Sequence, residues 1–176
     1  MDLGGQNITT NAAHITLSGA GSVIPQINTI ASNQGTFEVL GGRVFNTQAN
    51  LANAGAIRVA DAGSQLRVNG AYTQTSGVTT LDAATLAASL IDLQGGLLNG
   101  NGVIEGSMHV GGGAAVSPGF SPGQITVTGE FTLDPGGKLL LEAASLTQFD
   151  NLLIAGHGTF SGDIEIMFIG GYLPSI

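Results

Sequence analysis

The sequence predicts an all-β fold, a single-stranded parallel β-helix (β-solenoid) of about seven coils. Short runs of alternating apolar and polar residues, the period-two pattern of strands, recur along the whole chain. Glycine-rich turns separate them, and 29 of the 176 residues are glycine. The strand pairs start near Gly35, Gly55, Gly77, Gly102, Gly123 and Asp150. These starts span 115 residues in five steps, an average of 23, which is typical of a solenoid whose coils bury their apolar faces against each other.

The clearest unit of this repeat lies at residues 117–133. It opens with two Ser-Pro-Gly tripeptides on either side of Phe120. Proline fixes φ and the following glycine accepts a positive φ, so each tripeptide predicts a turn. Behind the turns, Ile125 and Val127 are expected to point inward and the threonines between and after them outward. Residues 131–133 repeat the alternation after a glycine corner, and the rest of the chain varies this unit.

The other elements follow from the same alternation between glycine corners. Further strands are predicted at 14–17, 36–40, 43–45, 57–59, 65–68, 72–75, 78–81, 103–105, 108–110, 115–116, 138–142, 151–154, 158–160 and 163–168, and residues 24–30 form the segment that follows the first strand. The strands become longer and more apolar toward the C-terminus. Nothing in the sequence marks a second domain or a linker, so we expect one domain, 1–176.

Residues 81–93 are ambiguous. Their alanines and leucines favour a helical turn, because alanine is the best helix former. No cap or C-terminal glycine bounds a long helix there, and residues 89–93 alternate again. The sequence therefore predicts a loop or short turn followed by a strand.

Ladders of apolar side chains are expected to fill the interior of the coil. The predicted core residues are Phe37, Val39, Ile57, Val59, Ile125, Val127, Phe131, Leu133, Leu139, Leu141, Leu153, Ile164 and Ile166. Both ends of such a rod present unpaired backbone, which favours self-association through the solenoid ends unless they are capped.

Composition excludes several classes of function. Only 9% of the residues are charged, and 4 Lys and Arg stand against 12 Asp and Glu for a net charge of −8. Nucleic acid requires clustered basic residues, so no nucleic-acid partner is expected. The absence of cysteine excludes disulfides and thiolate metal sites. No apolar run approaches the ~18 residues that span a bilayer, and the first residues do not resemble a signal peptide.

The active site of a glycoside hydrolase needs two carboxylates that face one cleft. Asp163 and Glu165 would share the outer face of one strand, with Glu105 or Glu142 one coil away. Twelve acids scattered over a solenoid produce such neighbours by chance, and a solvated face is favoured. We therefore predict no enzyme activity and no catalytic residues.

Histidines and glycines give no stronger site. His14, His109 and His157 lack the spacing of metal ligands and are interpreted as single surface or turn residues. Asp150 is expected to cap backbone amides at a turn, with calcium as a less favoured alternative. The triplet at 111–113 lacks the lysine and helix of a phosphate loop and predicts a tight corner. No cofactor and no metal are predicted.

Residues 102–174 carry several motifs in a definite order. They read S-P-G-x-S-P-G-x-I-T-V-x-G-x-F-T-L, then F-D-N-L-x-I-x-G-x-G-T-F-x-G-x-I-x-I, and finally G-Y-x-P. In this order the motifs resemble the membrane-proximal end of passenger domains in bacterial autotransporter-type proteins. The first hundred residues resemble that family only as generic solenoid coils. The resemblance implies that residues 102–176 form the more stable C-terminal stub.

The resemblance implies a right-handed coil, export across the outer membrane and a location outside the cell or at the bacterial cell surface. It also implies a piece of a longer protein, because the membrane barrel and sorting anchor of that family do not occur within these residues. Three functions stay open, in this order: a structural stalk or stability core of a secreted adhesin-like protein; a module that binds a glycan or surface protein of a host or neighbouring cell; and a carbohydrate-active enzyme.

Overall fold

A computed structural model describes residues 5–21, 24–120 and 122–174. Ser22 and Ser121, which belong to two predicted turns, lie outside the described residues, as does the start of the chain before Gly5. The predicted fold class is confirmed: 18 strands pair in parallel and wind into a β-solenoid of about seven turns. No α-helix occurs in the described ranges, and a 3-10 turn spans Pro25–Ile27.

The strands are short and follow each other at glycine-rich corners. In chain order they are β1 (Thr10–Asn11), β2 (His14–Ser18), β3 (Ser32–Asn33), β4 (Thr36–Leu40), β5 (Val44–Asn46), β6 (Leu51–Asn53), β7 (Ala56–Ala60), β8 (Gln65–Arg67), β9 (Ala71–Gln74), β10 (Val78–Leu93), β11 (Gly96–Val110), β12 (Ala114–Pro118), β13 (Gln124–Val127), β14 (Phe131–Leu133), β15 (Lys138–Ala143), β16 (Asn151–Ile154), β17 (Gly158–Phe160) and β18 (Asp163–Phe168).

Register divides the strands into three faces around one interior. Face 1 contains β2, β4, β7, the start of β10, the start of β11, β12, β15 and β18. Face 2 contains β5, β8, residues 84–87, residues 102–104, β13 and β16. Face 3 contains β1, β3, β6, β9, residues 90–93, residues 108–110, β14 and β17.

The length of a coil varies from turn to turn. Equivalent positions on face 1 are His14, Thr36, Ala56, Val78, Leu97, Ala115, Lys138 and Asp163. Successive positions differ by 18 to 25 residues. The predicted starts at Gly35, Gly55 and Gly77 directly precede face 1, whereas those at Gly102, Gly123 and Asp150 lie at face 2. The predicted starts move from face 1 to face 2 because the sequence pattern does not mark the face 1 strands that begin at residues 96 and 114.

The predicted strand at the end of residues 81–93 is confirmed, but the predicted loop or short turn before it is a continuous strand that bends at corners. β10 runs through this segment around two corners, and its register with β11 shifts between Asp82 and Ala84 and again between Ala87 and Leu90. Ala83 takes a positive φ of 53° at the first corner. Among the alanines that suggested a helix, Ala83 is therefore a corner residue, whereas Ala84 and Ala87 lie on face 2.

The predicted core is largely confirmed. Phe37, Val39, Ile57, Val59, Ile125, Val127, Phe131, Leu133 and Leu139 are buried. Leu141 is partly buried against them. The aromatic rings of Phe37 and Phe45 meet edge to face with centroids 5.2 Å apart.

Three predicted core residues are exposed. The prediction places Leu153 in the interior, but its side chain points outward. Leu152 and Ile154 take the inward positions instead, because they pair with Ile125 and Val127. Ile164 and Ile166 do continue the inward positions of β15. They are exposed because no described coil lies over β18.

Replacing Gly55 with alanine should destabilise the solenoid by about 1–3 kcal/mol. A Cβ at this corner would collide with the carbonyl oxygen of Gly35 and lie 2.7 Å from the carbonyl carbon of Gln34. Chemical denaturation of Gly55→Ala measures the loss. The matched control is Gly21→Ala, whose Cβ would meet nothing within 4 Å and should change stability by no more than about 0.5 kcal/mol. Equal stability of the two variants would contradict the close packing of this corner.

Candidate functional site

A buried ladder of amide side chains lies inside face 3. Asn11 donates to Asn33 at 2.7 Å, Asn33 donates to Asn53 at 2.8 Å, and Asn53 donates to Gln74 at 3.4 Å. The Asn33 amide nitrogen also reaches the backbone oxygen of Ala56 at 3.1 Å. The Asn33 side chain is therefore hydrogen-bonded both to its neighbours in the column and to the backbone at the corner that leads into face 1. An unpaired buried polar group lowers the stability of the fold, so the four coils that carry these amides must stay in register.

The ladder ends in a small hydroxyl network. Gln74 turns its amide nitrogen to the backbone oxygens of Gly95 and Leu97, at 3.1 and 3.2 Å. Its side-chain oxygen accepts from Thr79 at 2.5 Å. The single Thr79 proton is then used, so the Tyr72 hydroxyl, 2.6 Å away, donates to Thr79. Burial raises the pKa of Tyr72, which keeps this phenol protonated.

His109 joins two carboxylates on the outside of face 3. Its Nδ1 lies 2.7 Å from Asp92 Oδ1, and its Nε2 lies 2.8 Å from Asp134 Oδ2. Only an imidazolium donates from both nitrogens, so this geometry favours the charged form. The hydrogen bonds to Asp134 and Asp92 raise the pKa of His109. His109 is a single histidine at the surface, as the sequence predicts, but the sequence does not show its partners: the ring links acidic side chains 17 and 25 residues away.

A second hydrogen-bonded group with one histidine lies on the outside of face 1. Glu38 accepts from His14 at 2.9 Å and from Thr16 at 2.8 Å. The hydrogen bonds from His14 and then Thr16 lower the pKa of Glu38. His157 is exposed at the turn before β17, as the sequence predicts.

The remaining charged pairs also connect coils. Arg58 pairs with Asp82, Arg67 with Glu105, and Lys138 with Glu165. All six side chains are about half exposed, so solvent screening keeps the contribution of each pair to stability small.

The carboxylates considered as a hydrolase pair do not form one cluster. Asp163 and Glu165 share the outer side of β18, and Glu142 lies on β15 opposite Met167. Glu105 lies on β11 and pairs with Arg67. Among the described residues, no three or more His, Asp or Glu side chains are arranged so that they could hold a metal ion.

Asp150 caps two backbone amides, which confirms the prediction. One carboxylate oxygen accepts from Gly123 N and the other from Glu142 N, both at 2.8 Å. The side chain is buried and holds together the turn before β13, the end of β15 and the start of β16.

A shallow groove lies beside this cap. It has a volume of about 390 Å³ and is lined mainly by Asn101, Gln124, Thr147, Phe149 and Asn151. Three amides, a hydroxyl and an aromatic ring offer hydrogen bonds and a stacking surface, a combination suited to a neutral polar ligand. The sequence analysis missed this groove. Its amides lie 23 and 27 residues apart, one coil each, and that spacing is the only signal that would have revealed it.

No known family model matches this chain, and no curated protein or solved structure matches it. Within the described ranges, the structure contains no helix long and apolar enough to cross a membrane.

The His109 bridge predicts a specific pH dependence. A histidine whose folded pKa is raised adds stability that is fully present below its unfolded pKa of about 6.5 and is lost as the pH rises through the folded value. The side chain is 35% exposed, so solvent screening limits the effect to roughly 1 kcal/mol. Denaturation of the wild type between pH 5 and 9 should show this loss, and His109→Gln should not. His157→Gln, the control at an exposed histidine, should keep the wild-type slope; the same slope in all three proteins would contradict the bridge.

Proposed function

We propose that this chain is a structural stalk or stability core of a secreted, adhesin-like bacterial surface protein of the autotransporter type. The observation that supports the proposal is the continuity of the interior. Parallel pairing runs from β1 to β18, and the same interior positions are filled coil after coil. The stability of a rod of this kind is the sum of many similar contacts between neighbouring coils.

The outer surface supports the same role. Its charged pairs join side chains on different coils, as in Arg67 with Glu105 and Lys138 with Glu165. Its histidine bridge joins Asp92, His109 and Asp134, which lie on three successive coils. Side chains that link coils stiffen a rod against bending and local unfolding. The greater stability of residues 102–176 stays a prediction of this proposal.

The amide ladder offers the sharpest test of the stalk. Asn33→Ala removes the partner of Asn11 and the donor to Asn53, and should lower the free energy of unfolding by roughly 2–4 kcal/mol. Limited proteolysis of the whole chain should show wild-type resistance, with Asn33→Ala cleaved first in the N-terminal coils. Asn46→Ala, the control at an exposed strand position, should resist like the wild type.

Localisation and order of cleavage complete this test. Antibodies against the chain should label intact cells of the source bacterium. The longest-lived proteolytic fragment should contain residues 102–176. Labelling only after lysis, or a chain cleaved first at its C-terminal coils, would overturn the corresponding part of the proposal.

The groove beside Asp150 favours a second candidate function, a glycan-binding adhesion module. Its ring and amides are the groups that would contact a neutral oligosaccharide. A glycan array followed by titration should then identify a ligand, and Phe149→Ala should weaken its binding at least about tenfold. Phe120→Ala is the matched control, because Phe120 is exposed nearby but does not line the groove. Equal effects of the two substitutions would argue against a site in the groove.

A further inference from the structure

A polar pocket lies on the outer surface at the corner where face 2 leads into face 3. It has a volume of about 330 Å³ and is lined by Asn46, Thr47, Arg67, Val68 and Asn69, which belong to two successive coils. Register places Asn46 of β5 directly opposite Arg67 of β8, and both side chains point outward. We refer to this site as the Arg67 pocket. It shares no lining residue with the groove beside the aspartate cap.

Hydrogen bonds between the two coils fix the floor of the Arg67 pocket. Thr47 and Val68 are buried there. The Thr47 hydroxyl donates to the backbone oxygen of Ala49 at 2.6 Å and accepts from Asn69 N at 3.2 Å. Thr47 N donates to the backbone oxygen of Arg67 at 2.9 Å. The backbone around the pocket is therefore held in one arrangement before a ligand arrives, which lowers the entropic cost of binding.

Three side chains of the pocket keep hydrogen-bonding groups for a ligand. Arg67 Nε donates to Gln65 at 2.7 Å and Nη2 lies 3.3 Å from Glu105, but Nη1 has no partner among the described residues. The Asn46 side chain is exposed and makes no hydrogen bond within the described ranges. Asn69 Nδ2 donates to a backbone oxygen at 3.3 Å, which leaves its side-chain oxygen as an acceptor. The pocket thus offers a charged donor beside two amides.

Charge favours an anion at this place on the rod. Arg43, Arg58 and Arg67 are three of the four basic residues of the chain, and all lie within residues 43–67. Asp61 is the single acid of that segment, which therefore has a net charge of +2 in a chain of net charge −8. A local excess of positive charge attracts anionic ligands. A guanidinium group matches the planar geometry of a carboxylate and can donate to both of its oxygens.

Glu105 competes for the same guanidinium. Arg67 and Glu105 lie on either side of Ala87 in one outward column, and the small alanine side chain lets the arginine reach across. Both charged side chains are about half exposed, so water screens their ion pair. The carboxylate of a ligand would bind against this competitor, and removal of the competitor should strengthen binding.

We propose that the Arg67 pocket binds a sugar that carries a carboxylate, a uronic or a sialic acid. Arg67 holds the carboxylate, and the amides of Asn46 and Asn69 bind ring hydroxyls, which both donate and accept hydrogen bonds. The volume is near the lower end of the range of ligand sites, about 300–1,000 Å³, and suits a single sugar ring. Val68 is the apolar residue of the lining and is buried, so the side chains of a peptide ligand would find little apolar surface.

Titration of the whole chain with glucuronic acid, followed by NMR or calorimetry up to about 20 mM, tests the site. The expected Kd is on the order of 1 mM. Glucose lacks the carboxylate and acetate lacks the ring hydroxyls, so each should bind at least about tenfold more weakly. A parallel titration with N-acetylneuraminic acid shows which acidic sugar binds more tightly. Absence of saturation with both acidic sugars, or equally tight binding of glucose or acetate, would overturn the proposal.

Substitutions locate the bound sugar. Arg67→Gln should weaken the binding of glucuronic acid at least about tenfold. Arg58→Gln is the matched control and should bind like the wild type, because Arg58 is 43% exposed against 42% for Arg67 and forms an ion pair outside the pocket. Glu105→Gln should strengthen binding about two- to fivefold. Phe149→Ala, in the separate groove, should leave it unchanged.

Circular dichroism of each variant checks that the solenoid is folded. Equal weakening by the two arginine substitutions would indicate a general effect of charge and would overturn the site. Weaker binding in Glu105→Gln would overturn the role of the guanidinium as the carboxylate ligand. These outcomes do not bear on the stalk proposal, which concerns stability, or on the neutral groove, whose ligand depends on Phe149.

Discussion

Backbone hydrogen bonds between successive coils hold every other feature of this structure in place. At the corner into face 1, Thr36 N donates to Ala13 O, Ala56 N to Gly35 O, and Val78 N to Gly55 O, at 2.8, 2.8 and 2.9 Å. Strands that pair in this way lie only about 4.8 Å apart. A side chain directed along the rod axis would enter the neighbouring backbone, so the corner accepts glycine. The glycine content is thus a consequence of stacking, and the side chains must follow the columns that stacking defines.

One interior column shows how the chain uses this constraint in two ways. On face 3 the column contains Asn11, Asn33, Asn53 and Gln74, and continues with Leu93, Val110, Leu133 and Phe160. The amide part holds the coils together by hydrogen bonds, and the apolar part does so by burial. Gln74 ends the amide part because its longer side chain reaches backbone oxygens at the next corner. The column therefore changes from polar to apolar without an unpaired amide at the transition.

The sequence predicted what depends on local alternation. Phe37, Ile125 and Val127 are predicted to lie inside because each has a polar residue on both sides, and all three are buried. Leu153 was misplaced because the apolar run at 152–154 has no alternation to define its inward side. The contacts of His109 were missed for a different reason: they depend on which residues stack, and coil lengths that vary between 18 and 25 residues hide this register.

The amide ladder lies between these cases. Asn33 and Asn53 each stand two residues before a corner glycine, Gly35 and Gly55, so aligning the sequence on those glycines would have revealed the column. Each coil offers the next one a strand edge and a set of apolar positions in the same phase. Ile164 and Ile166 keep the inward phase of β15 and are exposed, because no described coil lies over them. An exposed surface that still follows the interior pattern is suited to another β-structure, because it retains the register that such a partner must match.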